Sequence, residues 1–152
     1  MNNTLFDDMN VTLEGELSRG ASNKALERIR KFLSGIQYRI LRSNSQSGEE
    51  CEFFRNKIVE MDKLISSMPK TYEQDGKGNE AIVYLHYFKR NGDWYITEKD
   101  MEVEQLQAFG YVKWSGYDGE LGYISIEELR GNDVELDLYW TPKTLKEVKS
   151  KR

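Results

Sequence analysis

The chain has 152 residues, 32% of them charged and 38% apolar, with a net charge of −4. That length can bury a core without disulfides or metals, and it predicts one domain or a domain with a helical extension. No apolar run approaches the ~18 residues that a membrane span needs. The opening MNNTLFDDMN has neither the basic nor the apolar region of a secretory signal, and Cys51 is the only cysteine, so the sequence reads as a cytoplasmic protein.

Residues 1–20 show weak periodicity and end at Ser18-Arg19-Gly20; they are read as a loose arm or a short helix. From about Asn23 the helical signal is clear. Leu26, Ile29, Leu33, Ile36 and Ile40 recur at steps of three and four, which places them on one helical face. Ser22 is the expected N-cap, and Gly35 falls inside this helix. Residues 43–48, SNSQSG, form the expected turn. Cys51, Phe54, Ile58, Met61, Ile65 and Met68 then repeat as a second seam, ended by Pro69. Residues 21–69 thus read as an antiparallel helical hairpin. Its seam, Leu33, Ile36, Ile40, Phe54, Ile58, Met61 and Ile65, is also the surface through which a homodimer would form. Residues 70–80 read as a polar linker.

The remainder, residues 81–152, reads as an acidic α+β domain. Residues 81–88 are apolar on both faces, as a central strand is. Asn91-Gly92 is a hairpin signal, since both positions of the favoured turn need φ > 0. It leads to a strand over 93–97, an acidic connection over 98–104, and a strand over 107–114. Asp118-Gly119 turns the chain into residues 121–124. Ser125 and Glu128 form a capping box for a short helix ended by Gly131. Val134, Leu136, Leu138 and Trp140 alternate as a half-buried strand. Thr141-Pro142 is the expected start of a last helix. The fold class is therefore α+β: a helical hairpin, then a mostly antiparallel sheet of a four-stranded meander plus one strand, with two short helices.

Charge divides along the same lines. Residues 19–70 carry eleven bases and six acids, giving +5, whereas residues 92–140 carry twelve acids and three bases, giving −9. An acidic segment repels nucleic acid despite its many aromatics, and is steered towards basic surfaces. Glu98, Asp100, Glu102, Glu104, Tyr117, Asp118 and Glu120 are the candidate partner-binding residues. The acids lack the glycine and terminal acid of a calcium loop, so no metal or cofactor is expected. Glu98 with Glu120 resembles a glycosidase carboxyl pair only in residue type. His86, alone in an apolar strand, reads as packed or hydrogen-bonded, and Cys51 as a small apolar group on the seam. Gly76-Lys77-Gly78 has neither the length nor the flanks of a phosphate loop. Arg28, Arg30, Lys31, Arg39 and Arg42 give the first helix a basic side, which favours a second reading: a nucleic-acid-binding accessory in replication or transfer. An unrecognised hydrolase is a third.

The stretch from Ala81 to Val148 carries four landmarks: residues 93–98 (DWYITE), residues 109–111 (FGY), residues 120–129 (ELGYISIEEL), and residues 135–145 (ELDLYWTPKTL). In these it resembles a small uncharacterised domain of phage, plasmid and integrative-conjugative-element proteins, similar also to modules of their large polyvalent proteins. The resemblance implies a mobile-element accessory protein acting in the cytoplasm of a bacterial host, where such proteins often defend the invading DNA. It carries over no catalytic residue. The expectation is a non-enzymatic inhibitor of anti-CRISPR or anti-restriction type, whose partner is a host defence protein or nucleoprotein effector.

Overall fold

The computed structural model describes residues 19–100 and 106–150. The expected arm over residues 1–20 falls outside them except for Arg19 and Gly20, which open a helix. That helix, α1 (Arg19–Ile29), passes through a 3-10 turn at Arg30–Phe32 into α2 (Gly35–Gln46); α3 is Cys51–Ser67. The expected first helix is therefore two. Leu33 is extended, and the Ser34 hydroxyl accepts the Gln37 amide to start a new helix. Gly35 is the first residue of α2 and not an interior one. Ser22 is not the cap: it is buried in the first turn of α1 and donates to the Arg19 carbonyl. The expected turn at 43–48 is shorter, because α2 continues to Gln46; the Arg55 guanidinium reaches back to the Ser45 and Gln46 carbonyls at that end, where a cation meets unsatisfied carbonyls.

The strands are β1 (Ile82–Val83), β2 (Leu85–Lys89), β3 (Gly92–Lys99), β4 (Gln107–Trp114) and β5 (Glu120–Ser125). They are followed by α4 (Ile126–Gly131), β6 (Glu135–Leu136), β7 (Lys143–Thr144) and α5 (Leu145–Ser150). Five of them form one antiparallel sheet in the order β5-β4-β3-β2-β6, and β1 pairs with β7 apart from it. The expected four-stranded meander is β2 to β5. The expected strand at 81–88 breaks at Tyr84, whose amide still reaches the Ile96 carbonyl. The final helix is capped by Thr144 and Glu147, which exchange backbone bonds reciprocally, and not by Thr141. The hairpin turn lies one residue earlier than expected: Arg90 takes the positive φ, and Gly92 is already in β3. Gly92 is needed there for space, since a Cβ would lie 2.8 Å from both Trp94 and Trp114.

One core joins helices and sheet. Leu26, Ile29, Leu33, Leu41, Ile58, Met61 and Ile65 pack with Leu85, Tyr87, Ile96, Ala108, Ile124 and Leu136. Residues 81–152 therefore share their core with 21–69. The other sheet face carries a smaller cluster of Ala81, Val83, Tyr111, Leu145 and Val148, flanked by Tyr95 and Trp140. The segment 70–80 is held in place: Gln74 is buried, and its side-chain amide bonds Ile82 N–H and O and the Thr97 carbonyl. A second buried amide, Gln37, does the same for both backbone groups of Leu136 on edge strand β6. These two glutamines act as substitutes for a missing neighbouring strand.

Two of the expected seam residues do not lie in the seam. Ile36 and Ile40 are 49% and 52% exposed, because the break at Ser34 rotates α2 so that Tyr38 and Leu41 face inward. Leu33, Ile58, Met61 and Ile65 are buried and Phe54 packs against them.

Candidate functional site

Alternation along β3 puts Trp94 and Ile96 on the helix-facing side, and would put Glu98 there too. A register shift between Ile96 and Glu98 prevents it. Thr97 is the extra residue, and Glu98 pairs with Phe109 on the outer face instead. Such bulges re-aim side chains. Opposite the bulge the two backbones come close: a Cβ on Gly110 would lie 2.0 Å from the Tyr95 carbonyl oxygen, so glycine is the residue that fits.

Glu98 is thereby directed to a cavity of about 530 Å³, bounded among others by Tyr72, Phe109, Leu121 and Leu145. It is only 5% exposed. Its carboxylate accepts the Tyr72 amide at 2.6 Å and the Thr97 hydroxyl at 2.9 Å. Tyr72 has φ 77, a conformation that a bulky residue adopts only when its surroundings hold it. Its phenol meets that of Tyr123 at 2.5 Å, and Tyr123 packs edge-on against Phe109. The Tyr72 contact, helped by burial and by the charges of Asp100 and Glu98, raises the Tyr123 phenol above its ordinary value. Sequence reasoning counted Glu98 among surface acids and missed Tyr72 and Tyr123. The run Ile96-Thr97-Glu98, three consecutive buried residues, cannot be read from alternation.

His86 lies on the same outer face. Its Nδ1 is 2.9 Å from an Asp137 oxygen and its Nε2 2.8 Å from an Asp93 oxygen. Each ring nitrogen thus has its own carboxylate partner. The ring stacks on Tyr95 at 4.8 Å and is flanked by Trp140 and Phe88. With both nitrogens and a ring face engaged, His86 is a packed, hydrogen-bonded strand residue, as expected. Burial, with Asp93, Tyr111 and Asp137 nearby, pushes the Tyr95 phenol up to about 12.

The remaining expected interface residues that are described do not gather into one acidic patch. Asp100 is half-buried next to the bulge, and Glu102 and Glu104 lie outside the described residues. Tyr117, Asp118 and Glu120 are exposed at the β4–β5 end. There Asp118 and Asp93 share a hollow with Arg90, Lys113 and Lys149, so the charge is mixed. Glu98 is withdrawn from the surface altogether. Cys51 is half-buried at the start of α3. Among the described residues no group of three or more His, Cys, Asp or Glu is placed to share a metal ion, and no helix is long and apolar enough to cross a membrane.

At the opposite sheet edge, beside β6, lies an apolar groove of about 260 Å³. Ile36, Ile40, Phe54, Leu138 and Tyr139 line it, with Asp133 and Glu135 on its rim. Glu49 and Glu50 border Phe54 in an adjoining hollow. The basic side of α1 and α2 is largely matched internally. Arg28 makes a two-nitrogen contact to Asp62, Arg30 and Arg42 lie against Glu27, and Arg30 covers the Tyr38 ring. Tyr38 donates to Glu27; this bond, with the two arginines, lowers the Glu27 carboxyl below its usual range.

Comparison with protein-family models, curated proteins and solved structures finds no match to this chain.

Proposed function

We propose that the chain is a non-enzymatic accessory protein of a mobile genetic element that binds and inhibits a host defence protein, in an anti-CRISPR or anti-restriction manner. The observation that carries this reading is the groove of Ile36, Ile40, Phe54, Leu138 and Tyr139 with its rim of Asp133 and Glu135. Apolar side chains collected on a surface and edged by charge are the anatomy of a protein-binding patch. Its acid rim, within a segment of net −9, selects a basic and apolar partner surface of the kind that otherwise meets nucleic acid. The resemblance of residues 81–148 to mobile-element accessory domains supplies the setting, the cytoplasm of a bacterial host. In this reading the acids that meet the partner are Asp133 and Glu135 beside the groove.

The nucleic-acid reading is weakened by the pairing of Arg28, Arg30 and Arg42 with acids of the same helical layer, since paired cations release fewer counterions on binding a phosphate backbone.

The test expresses the chain in hosts with and without a defined restriction or CRISPR system and scores plating of a targeted phage. The chain raises plating only where the defence is present, and the purified chain retains the corresponding nuclease or effector complex at low salt and releases it as salt rises. Ile36→Asp with Ile40→Asp abolishes both effects. Unchanged plating with tight retention of free DNA would overturn the reading.

A further inference from the structure

We infer that the cavity at Glu98 is a binding site for an organic cation, an ammonium or guanidinium group carried on an apolar stem. The argument starts from the charge of Glu98. Its two oxygens accept one bond each, from the strained Tyr72 backbone and from the Thr97 hydroxyl, whereas an amide side chain has one acceptor oxygen and could serve only one of them in this way. A buried carboxylate costs several kcal/mol unless a cation compensates it. Among the described residues none does so: Glu98 has no ion pair, and no lysine, arginine or histidine lines the cavity. The carboxylate has about four acceptor positions, and the two bonds leave the others for a ligand.

The walls fit the same ligand. Leu121 and Tyr72 are 50% and 69% exposed, so they form the mouth, whereas Glu98 lies at the floor. Phe109, Leu145 and Ala81 line the sides and would cover methylene groups of a stem. Tyr72 and Phe109 bring aromatic rings to the lining, and ammonium and guanidinium groups are attracted to such rings. A metal ion is a poorer occupant: Glu98 and Asp75 are the carboxylates lining the cavity, and among the described residues no group of three or more His, Cys, Asp or Glu is placed to share one. The bulge at Thr97 is what turns the Glu98 carboxylate from the core side to the cavity side of the sheet. The groove at Ile40 lies at the other sheet edge, so this inference stands independently of the proposed function.

The experiment titrates the full chain, by calorimetry and by amide chemical shifts, with butylguanidinium, butylammonium and the neutral butyramide at fixed ionic strength. Both cations bind and shift the amides of Thr71, Tyr72 and Leu121, while butyramide does not. Glu98→Gln weakens the cations about tenfold or more, as loss of a charged hydrogen-bond partner does. Leu121→Trp, at a half-exposed position, blocks the mouth and removes the same shifts. An N-acetylarginine amide arm separates the sources: affinity equal to butylguanidinium marks a side chain of a protein, and exclusion marks a free small amine. Equal binding of cations and butyramide, or full cation affinity in a folded Glu98→Gln variant, would overturn the inference. Failure of the phage-plating test with cation binding intact would remove only the proposed function.

Discussion

The two faces of the five-stranded sheet are built from the same strands and do opposite things. On the helix-facing side Leu85, Tyr87, Ile96 and Leu136 are essentially inaccessible to water. On the outer side the intervening residues His86, Asp93, Tyr95, Phe109 and Tyr123 are polar or aromatic and are joined by hydrogen bonds and ring contacts. Even the tyrosines differ: buried Tyr87 donates to one backbone carbonyl, that of Phe32, while Tyr123 stays at the surface against Tyr72. The inner face holds the chain folded, and the outer face is free to carry specific groups.

The largest break in this contrast comes from adjacent residues of β2. Tyr87→Ala empties the middle of the core and should lower unfolding free energy by about 3–5 kcal/mol. Phe88→Ala, one residue on and partly exposed, should change it by less than about 1 kcal/mol. Urea denaturation followed by circular dichroism measures both, and similar losses would erase the distinction between the faces. Next in size is Gln37→Leu, which keeps the volume but strips both backbone groups of buried Leu136 of their partner. At about 1–3 kcal/mol for each buried group left unsatisfied, the loss should be about 2 kcal/mol or more, with faster amide exchange at Leu136. On the outer face His86→Gln should be milder, about 1–3 kcal/mol, since Asp93 and Asp137 regain water when the imidazole leaves.

The elements were legible in the sequence wherever a local signal was sufficient. Ser125 and Glu128 marked α4, and the turn pairs Asn91-Gly92 and Asp118-Gly119 delimited β3, β4 and β5, whereas the alternating run over 134–140 is a strand only at Glu135–Leu136. What failed was long-range. The apolar repeat Leu26 to Ile40 continues through the break at Ser34, so periodicity alone reported one helix. The local signal was there, in Ser34 followed three residues later by Gln37 as in a capping box, but the Gln37 side chain serves Leu136, 99 positions away. Gln74 was unreadable for the same reason, as its partners are strand backbones. The candidate site was half visible: Glu98 was singled out, yet as a surface acid. A bulge reverses the side that period-two alternation assigns, and nothing in the residues 96–98 announces it.

Alkaline pH probes the contrast more gently. Burial raises Tyr87 strongly and Tyr95 to about 12. The unfolded chain loses these protons first, near the ordinary tyrosine value of about 10. Their contribution to stability is complete below pH ~10 and declines as pH rises towards the folded values. The melting temperature should fall progressively above pH ~10, and Tyr87→Phe should flatten that fall. A melting temperature independent of pH in this range would show that neither phenol is kept protonated by the fold.

The smallest effect on stability should come from the groove, and that smallness is the point. Ile40 is half exposed on α2, so Ile40→Asp removes little buried area. It should change unfolding free energy by no more than about 0.5 kcal/mol. The same substitution places a charge at the centre of the patch proposed to meet a partner, where desolvation opposes it. Size-exclusion chromatography of the parent chain and the variant then separates two uses of that patch. A parent dimer that dissociates in Ile40→Asp would assign the groove to self-association, whereas a monomer in both forms leaves it to a different protein. A loss of several kcal/mol would instead mean that the side chain of Ile40 belongs to the core, as its place in the apolar repeat first suggested.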